Sequence, residues 1–327
     1  MPNGVVESVS PQPADAPIDW GEAALWQWRG WQVPWRCLGP VGGPALLLLH
    51  GFGASSGHWR ALAPPLAAMG WRVFALDLIG FGGSSQPARP LDNRLWGWQV
   101  AAFLRQVIQP EQPAPVVLMG NSLGALVGLT TAVLAPARVR GLVAAPLPDP
   151  ALVQPPRRSA IRQRRPGPGR RRIRRLGRCL VRTLLRLLPL ELLLPVIVRT
   201  PLLDLGLQSA YSRPVGRDRP LRHLIARPAS RRTAAAALRG MTIGMTLRPR
   251  WATAPSLLPR LRCPLLLLWG RRDRLVPPML APKVEGLAGG PCRLALLDGG
   301  HCLHDDVPGA VLRELEPWLQ RLPVADT

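Results

Sequence analysis

The stretch of the chain best suited to chemistry is Gly120-Asn121-Ser122-Leu123-Gly124. It follows a short apolar run at 115–119 and precedes an Ala-, Leu- and Gly-rich segment with helical spacing at 123–134, so the pattern predicts a strand, a tight turn and a helix. A serine in such a turn is held in a strained backbone conformation, and the flanking glycines remove Cβ atoms that would clash. The pattern is therefore typical of a nucleophilic serine, Ser122, raised to the start of a helix.

A nucleophilic serine needs a general base, and the base needs an acid that orients it. One acid, Asp273, follows the apolar run 265–269, and one histidine, His301, follows the apolar run 292–297. We assign Ser122 as the nucleophile, His301 as the base and Asp273 as the acid that fixes the tautomer of the imidazole.

Two alternatives to these assignments stay open at the level of the sequence. Asp149 follows the apolar run 139–145 and is a second candidate acid, and His304 is a second candidate base. The pair Gly299-Gly300 directly before His301 favours His301, because glycines allow the close approach that a base requires.

An ester carbonyl that is attacked by a serine develops a negative oxygen, which needs preorganised N–H donors. We expect the backbone N–H of Leu123 and the backbone N–H of Phe52, in the loop His50-Gly51-Phe52-Gly53, to form this oxyanion hole. The remaining candidates for substrate contact are His50, His58 and Asn121. Of these, His50 is better suited to stabilising its loop and His58 to packing. We expect no cofactor and no metal, because no His/Cys set has ligand spacing.

The elements that must position these residues are short buried strands that alternate with helices. Continuous apolar runs predict strands at 44–49, 72–78, 115–119, 139–145, 264–270 and 292–297, and helical spacing predicts helices at 55–69, 94–109, 123–134, 278–287 and 308–322. Period-two alternation at 25–37 predicts a hairpin of two outer strands whose tryptophans pack on the core. The fold class is therefore α/β, with a mostly parallel central sheet and helices on both faces.

The alternation stops between residues 151 and 259, where the sequence is rich in Arg, Leu and Pro and shows no parallel strand. We interpret this block as a helical cap insertion into one core formed by 21–150 and 260–324, preceded by a disordered tail at 1–20. The insertion follows a strand of the parallel series, so it is expected to lie over the carboxyl ends of the strands, where ligands bind.

The charge of the chain is strongly positive, with 42 Lys and Arg residues against 19 Asp and Glu residues and a net charge of +23. Thirteen arginines and no acidic residue lie between Arg157 and Arg186. Arg and Leu alternate through 170–199, a pattern that favours an interfacial helix at an anionic membrane. We therefore predict peripheral membrane contact through Arg157–Arg199. A bias toward arginine that merely reflects codon composition is the alternative, and no motif indicates specific nucleic-acid binding.

The location is predicted from cysteines and from the amino-terminal sequence. The five cysteines are odd in number and scattered, which favours a reducing compartment without a disulfide framework. Residues 1–20 lack a basic segment followed by an apolar core, so they are not typical of a signal peptide. We expect a cytoplasmic protein, with peripheral association at the cytoplasmic or thylakoid face of a membrane.

Five segments together resemble the α/β-fold hydrolases of the epoxide-hydrolase and dehalogenase-like sequence group. These segments are His50-Gly51-Phe52-Gly53-Ala54-Ser55, Asp77-Leu78-Ile79-Gly80-Phe81-Gly82-Gly83-Ser84, Gly120-Asn121-Ser122-Leu123-Gly124, Gly270-Arg271-Arg272-Asp273 and Gly300-His301-Cys302-Leu303-His304-Asp305-Asp306. The chain order Ser122, Asp273, His301 is the order of that family. Epoxide hydrolases and dehalogenases carry aspartate at the position of Ser122, so the serine indicates acyl transfer rather than alkyl displacement.

Within this group, the Gly-Asn-Ser-Leu-Gly segment and the Gly-His-Cys-x-His-Asp-Asp segment look most like the pheophytinase and chlorophyll dephytylase branch of photosynthetic organisms. Leu303 departs from this branch, where proline is expected. The resemblance implies cleavage of a phytyl or other lipid-like ester through an acyl-enzyme. A broad carboxylesterase, an acylglycerol lipase, a thioesterase and a non-catalytic membrane-associated binding protein are the alternatives.

Overall fold

The computed structural model describes residues 19–153, 179 and 181–323, and its central feature is an eight-stranded sheet in the order β1-β2-β4-β3-β5-β6-β7-β8. The strands are β1 (Glu22–Trp28), β2 (Trp31–Leu38), β3 (Ala45–Leu49), β4 (Arg72–Leu76), β5 (Val116–Asn121), β6 (Val139–Ala145), β7 (Leu265–Gly270) and β8 (Cys292–Leu297). β2 pairs antiparallel with β1 and β4, and every other pairing is parallel. The predicted mostly parallel sheet is confirmed.

The two outer strands form the predicted hairpin, with Trp28 paired to Trp31 across a two-residue turn. Arg29 and Gly30 have φ values of 53° and 78°, the combination that lets a tight turn follow the twist of its strands. The tryptophans of β1 and β2 pack against the core, and Trp26 makes an edge contact with Phe103 at 5.4 Å between ring centroids. Trp28 is buried and the other three are half-buried against the core, which agrees with the packing that their period-two spacing predicts.

Side chains from alternate positions of the parallel strands enter two separate apolar cores, one on each face of the sheet. Leu47, Leu118 and Leu267 belong to one core, whereas their neighbours Leu48 and Met119 belong to the other. This arrangement explains why the strands are continuous apolar runs: both faces of the sheet are covered by helices.

The helices are α1 (Ala63–Ala68), α2 (Asn93–Phe103), α3 (Leu123–Leu134), α4 (Leu190–Arg199), α5 (Leu202–Ser209), α6 (Arg219–Ala229), α7 (Ala234–Leu247), α8 (Ala254–Leu257), α9 (Ala281–Glu285), α10 (Leu303–Asp306) and α11 (Pro308–Gln320). The predicted helix at 55–69 is instead a 3-10 turn, Ser56–Trp59, followed by α1. Pro64 and Pro65 explain the division, because proline cannot donate the hydrogen bonds that would continue a helix. The predicted helix at 94–109 ends in a π-helical turn, Leu104–Ile108.

Between β6 and β7 the described residues form helices and no strand. We call residues 181–209 the outer part of this insertion, which contains the helical residues 181–186, α4 and α5, and residues 210–259 the inner part, which contains α6, α7 and α8. Residues 154–178, where most of the arginine-rich run lies, are outside the described residues, as is the predicted tail up to residue 18.

Candidate active site

The turn between β5 and α3 places Ser122 in a backbone conformation that side chains rarely adopt. Its φ is 53° and its ψ is −117°. A Cβ atom on Gly124 would lie 2.0 Å from the carbonyl oxygen of Leu49, and one on Gly120 would lie 2.3 Å from the backbone nitrogen of Ala125. Only glycine therefore fits on either side of the serine, as the Gly-x-Ser-x-Gly spacing predicts.

His301 and Asp273, which follow β8 and β7, are brought together by the sheet. Nδ1 of His301 lies 2.8 Å from Oδ2 of Asp273, and both side chains are buried. The other oxygen of Asp273 accepts the backbone N–H groups of Leu275 and Val276, each at 2.8 Å. Because the carboxylate is held from both sides, it fixes the orientation of the imidazole ring.

Asp149, the alternative acid, is engaged elsewhere. Its Oδ2 accepts the N–H of Ala254 at 2.7 Å, and its Oδ1 accepts the N–H of Ala151 at 2.9 Å and pairs with Nη2 of Arg248 at 2.7 Å. These partners lie at the two ends of the insertion. Asp149 therefore joins the ends of the insertion to each other, and the structure pairs His301 with Asp273 instead.

His304, the alternative base, is a packed side chain. It is fully buried, with its ring 4.4 Å from the ring of His58 and 4.3 Å from that of Trp59. Neither of its ring nitrogens has a hydrogen-bond partner within the described residues. Burial holds the pKa of His304 well below its ordinary value, so the ring is neutral, and its position does not support the alternative assignment as base.

Asn121, a candidate for substrate contact, connects the serine turn to the histidine loop. Its Nδ2 donates to the carbonyl oxygen of Ala145 at 2.6 Å and to that of His301 at 3.1 Å, and the side chain is buried. Both N–H groups of the amide are thereby used within the protein. Asn121 fixes the distance between the backbone next to Ser122 and the backbone of His301.

The expected oxyanion donors lie in the loops beside Ser122. Leu123 is the first residue of α3, where N–H groups have no partner within the helix. A Cβ atom on Gly51 would lie 3.5 Å from Cβ of Ser122, so the loop that carries Phe52 passes directly along the turn. The side chain of Phe52 is 61% exposed and packs edge-on against Phe81.

His50 has no ring nitrogen free for a substrate. Its Nε2 accepts the backbone N–H of Leu78 at 3.0 Å, so Nδ1 carries the proton and donates to the carbonyl oxygen of Gly51 at 2.8 Å. The ring is fully buried, and burial lowers its pKa. His50 therefore binds two loops together, which corrects its candidacy for substrate contact.

His58 is likewise buried, and its Nε2 lies 2.7 Å from the hydroxyl of Tyr211 in the insertion. Burial lowers the pKa of His58 to about 4, so the ring is neutral near pH 7. His58 therefore contacts the inner part of the insertion, and packing was the role that the sequence favoured for it. Tyr211 was missed at the level of the sequence, although it is the only tyrosine of the chain.

Two further features of the described residues bear on cofactors and membranes. Within them, no group of three or more His, Cys, Asp and Glu side chains is placed to hold a metal ion. None of the helices in the described part of the chain is both long enough and apolar enough to cross a bilayer.

The sequence pattern of the alpha/beta hydrolase family matches residues 46–314, and this chain belongs to that family. A haloalkane dehalogenase from Mycobacterium marinum is 38% identical over 94 residues, which cover 29% of this chain and 31% of that protein. A magnesium-chelatase 30 kDa subunit from Rhodobacter capsulatus is 27% identical over 329 residues, which cover 93% of this chain and 92% of that subunit. A thermophilic esterase from Thermogutta terrifontis has the same fold, with a TM-score of 0.63, 20% identity and coverage of 92% and 99% of the two chains.

These similarities differ in extent. The chain spans about a third of the length of the dehalogenase, whereas it spans nearly the whole chelatase subunit, including the insertion. The narrower resemblance to pheophytinases stays a prediction.

Proposed function

We propose that this protein is a serine hydrolase that cleaves a hydrophobic carboxylic ester through an acyl-enzyme. The observation that carries the proposal is the positive φ of Ser122 (53°), in a turn whose Asn121 is bonded to the loop of the His301–Asp273 pair. Strain of this kind is retained where a nucleophile must project from a turn. A serine rather than an aspartate at this position favours attack on an acyl carbon.

In this mechanism the hydrogen bond to Asp273 assigns the tautomer of His301. Nδ1 donates to the carboxylate, so Nε2 of the neutral ring is the acceptor. Nε2 takes the proton of Ser122 as its oxygen attacks the ester carbonyl, and the N–H groups of Leu123 and Phe52 stabilise the resulting oxyanion by about 3–4 kcal/mol each. The imidazolium protonates the leaving alcohol, and a water molecule then releases the acid by the same route.

Ester turnover by purified variants tests the proposal. Ser122→Ala is expected to lower kcat by about 10⁴- to 10⁶-fold, since removal of a nucleophile disables the triad as a unit. Asp149→Asn and Asp273→Asn together test the assignment of the acid. Ester turnover should persist in Asp149→Asn and be abolished in Asp273→Asn. Equal turnover by wild type and Ser122→Ala would exclude the mechanism.

A lipid-like substrate, such as a phytyl ester, is the finer part of the proposal. Its support is the resemblance of the serine and histidine segments to pheophytinases and the exposed apolar side chain of Phe52 beside the turn. Turnover of a nitrophenyl ester, a monoacylglycerol, an acyl thioester and a phytylated pigment, measured side by side, separates this substrate class from those of esterases, lipases and thioesterases. A kcat/KM that is highest for the short nitrophenyl ester would contradict it.

Peripheral contact with an anionic membrane is proposed for the outer part of the insertion. This part exposes a set of large apolar side chains, which we call the apolar face: Leu184, Leu187, Leu188, Leu192, Leu193, Val196, Ile197, Leu202 and Leu205. Leu187 and Leu192 are each 72% exposed. Three arginines of the same part, Arg182, Arg186 and Arg199, are also exposed. Exposed apolar surface together with exposed arginines is the combination that binds an anionic lipid interface, where each arginine adds about 1 kcal/mol.

Vesicle sedimentation tests the membrane contact. Binding is expected to vesicles that contain phosphatidylglycerol, to weaken at high salt and to fall on Leu187→Glu or Leu192→Glu. Leu25→Glu is the matched control, because Leu25 is an exposed leucine on β1, outside the insertion. Loss of binding in all three variants, or no binding by wild type at low salt, would contradict the contact.

A second candidate function is that of a binding subunit without catalysis. The observation in its favour is the full-length similarity, across the insertion, to a protein named magnesium-chelatase 30 kDa subunit. Co-purification of the tagged chain with a magnesium chelatase, unchanged by Ser122→Ala and without esterase activity in the complex, would favour this function over hydrolysis.

A further inference from the structure

The inner part of the insertion is in direct backbone contact with the loop that carries His301. The carbonyl oxygen of Ala210 accepts the N–H of His301 at 2.8 Å and the N–H of Cys302 at 3.1 Å. A Cβ atom on Gly300 would lie 2.8 Å from the same oxygen and 2.9 Å from the nitrogen of Ser212. Gly300 is therefore needed for the approach of the insertion as well as for the histidine loop.

Asp306 bonds the two sides of this contact together. Its Oδ2 accepts the N–H of Gly300 at 2.7 Å, the N–H of Ser212 at 2.9 Å and the hydroxyl of Ser212 at 2.7 Å, and its Oδ1 accepts the N–H of Arg213 at 3.3 Å. One buried carboxylate thus holds the residue before His301 and two residues of the insertion. Hydrogen bonds to an ionised carboxylate are stronger than neutral ones, so this contact fixes the loop firmly.

Asp305 makes a second contact of the same kind. It accepts the hydroxyl of Tyr211 at 2.9 Å and two N–H groups of Arg60 at 2.8 and 2.9 Å, and Arg60 also pairs with Asp218 of the insertion. Although burial opposes ionisation, the hydrogen bonds from Arg60 hold the pKa of Asp305 below its usual range. The pKa of Tyr211 is raised well above its usual value, mainly by burial, so its hydroxyl keeps its proton and remains a donor.

We propose that Asp306 is a positioning residue of the catalytic site and that the inner part of the insertion sets the orientation of the base through it. With Asp306 bonded to Gly300 and Ser212, the backbone of His301 is held from the insertion side, while Asn121 holds its carbonyl from the serine side. The ring of His301 can then face Asp273 with its Nδ1 in one fixed geometry. This inference rests on the proposed hydrolase function.

Steady-state kinetics of Asp306→Asn test the proposal. The amide has one acceptor oxygen and no charge, so the bonds to Gly300 and Ser212 weaken while the shape of the side chain is kept. The expected result is a kcat lower by about 10- to 100-fold with KM within about threefold of wild type, because a displacement of about 1 Å in a catalytic group costs up to about 100-fold.

Matched variants separate positioning from a loss of fold. Asp204→Asn changes another carboxylate of the insertion, one that pairs with Arg222 away from the histidine loop, and should leave kcat unchanged. Ser212→Ala removes only one of the bonds to Asp306 and should lower kcat by a few-fold, which keeps the test available if Asp306→Asn does not fold. Asp306→Glu retains the charge, and it should recover part of the lost kcat.

Two results would overturn the inference: a folded Asp306→Asn with wild-type kcat, or a Ser212→Ala with wild-type kcat when Asp306→Asn is unfolded. Wild-type ester turnover is measured alongside. If wild type hydrolyses esters and the variants do so equally well, the positioning role fails and the proposed function stands. If wild type has no Ser122-dependent turnover, the proposed function itself fails.

Discussion

The outer and inner parts of the insertion differ in what their side chains contact. In α4 and α5 of the outer part, only Val198 and Leu203 are buried, whereas four of the leucines are exposed: Leu192, Leu193, Leu202 and Leu205. In the inner part, Tyr211 and Leu221 enter a small core with Cys302, and α7 packs against residues 89–91. Similar residue types therefore serve two purposes: the inner part is fixed to the catalytic loops, and the outer part presents an apolar face.

Several measurements test this difference between the two parts. The largest effect is expected in the dependence of the free energy of unfolding on pH, through histidines at the contact of the inner part. The folded-state pKa of His58 is lowered by burial from 6.5 to about 4, and that of His304 is lowered as well. Between about pH 6.5 and pH 4 the unfolded chain binds protons at these histidines that the folded chain does not bind. The free energy of unfolding therefore falls as pH falls. For His58 the loss reaches about 3 kcal/mol.

Chemical denaturation from pH 7 to pH 4 measures this loss. His58→Gln, which retains a donor toward Tyr211, should reduce the slope, and His223→Gln, at an exposed position of α6, should leave it unchanged. An unchanged slope in His58→Gln would show that the contact of the inner part does not depend on a neutral His58.

The next largest effect is expected when a glycine of each part is replaced by alanine, and it is measured as a change in the free energy of unfolding. A Cβ atom on Gly240 of α7 would lie 2.1 Å from the carbonyl oxygen of Arg89, whereas one on Gly206 of α5 would have nothing within 4 Å. Gly240→Ala is expected to lower the free energy of unfolding by about 2 kcal/mol, since backbone must move. Gly206→Ala should raise it by about 0.5–1 kcal/mol, because alanine favours the helix. Equal changes in thermal denaturation would remove the distinction between the parts.

A smaller effect is expected when the hydroxyl of Tyr211 is removed. Tyr211→Phe deletes the bonds to Asp305 and His58 while the ring stays in place, at a cost of about 1 kcal/mol in the free energy of unfolding. Ser209→Ala is the control, because that hydroxyl bonds only within the outer helix, to the carbonyl oxygen of Gly206. A Tyr211→Phe variant that unfolds at the same urea concentration as Ser209→Ala would show that the hydroxyl contributes no stability.

The smallest effect is expected at the ion pair that joins the two parts. Arg239 donates to both oxygens of Glu191 at 2.7 and 2.6 Å, and this hydrogen bonding lowers the pKa of Glu191 from 4.5 to about 2. The pair therefore acts above about pH 4.5 and is lost as pH falls toward 2. Because Glu191 is exposed, solvent screens the pair, and Glu191→Gln should leave the urea midpoint at pH 7 nearly unchanged. A large shift of that midpoint would show that the outer part is fixed as firmly as the inner part.

The strands and the order of the catalytic candidates could be predicted because each depends on local sequence. An apolar run such as 265–269 predicts a buried strand, and the residue after it, here in the loop of Asp273, must lie at the edge of the sheet. Asp149 remained an alternative to Asp273 at the level of the sequence because both follow strands, and only the three-dimensional partners, Arg248 and His301, distinguish the two.

The contacts of the insertion could not be predicted for a related physical reason. Tyr211 and Asp305 are separated by 94 residues, and no periodic pattern indicates which distant carboxylate a tyrosine will meet. Leucines that are spaced for a helix look alike whether they are buried, as Leu221 is, or exposed, as Leu192 is. The contacts of Asn121 and His58 with other elements of the fold could not be foreseen for the same reason, since burial decides whether a polar group faces a substrate or another element.

Reaction of the purified protein with a fluorophosphonate, followed by intact-mass and peptide analysis, is the sharpest test of whether Ser122 is an activated nucleophile. One adduct per chain is expected, on the peptide that contains Ser122, and it should be absent in Ser122→Ala and slow to form in His301→Gln. A folded wild-type protein that gains no adduct, or gains it at another residue, would contradict the assignment of Ser122 as an activated nucleophile.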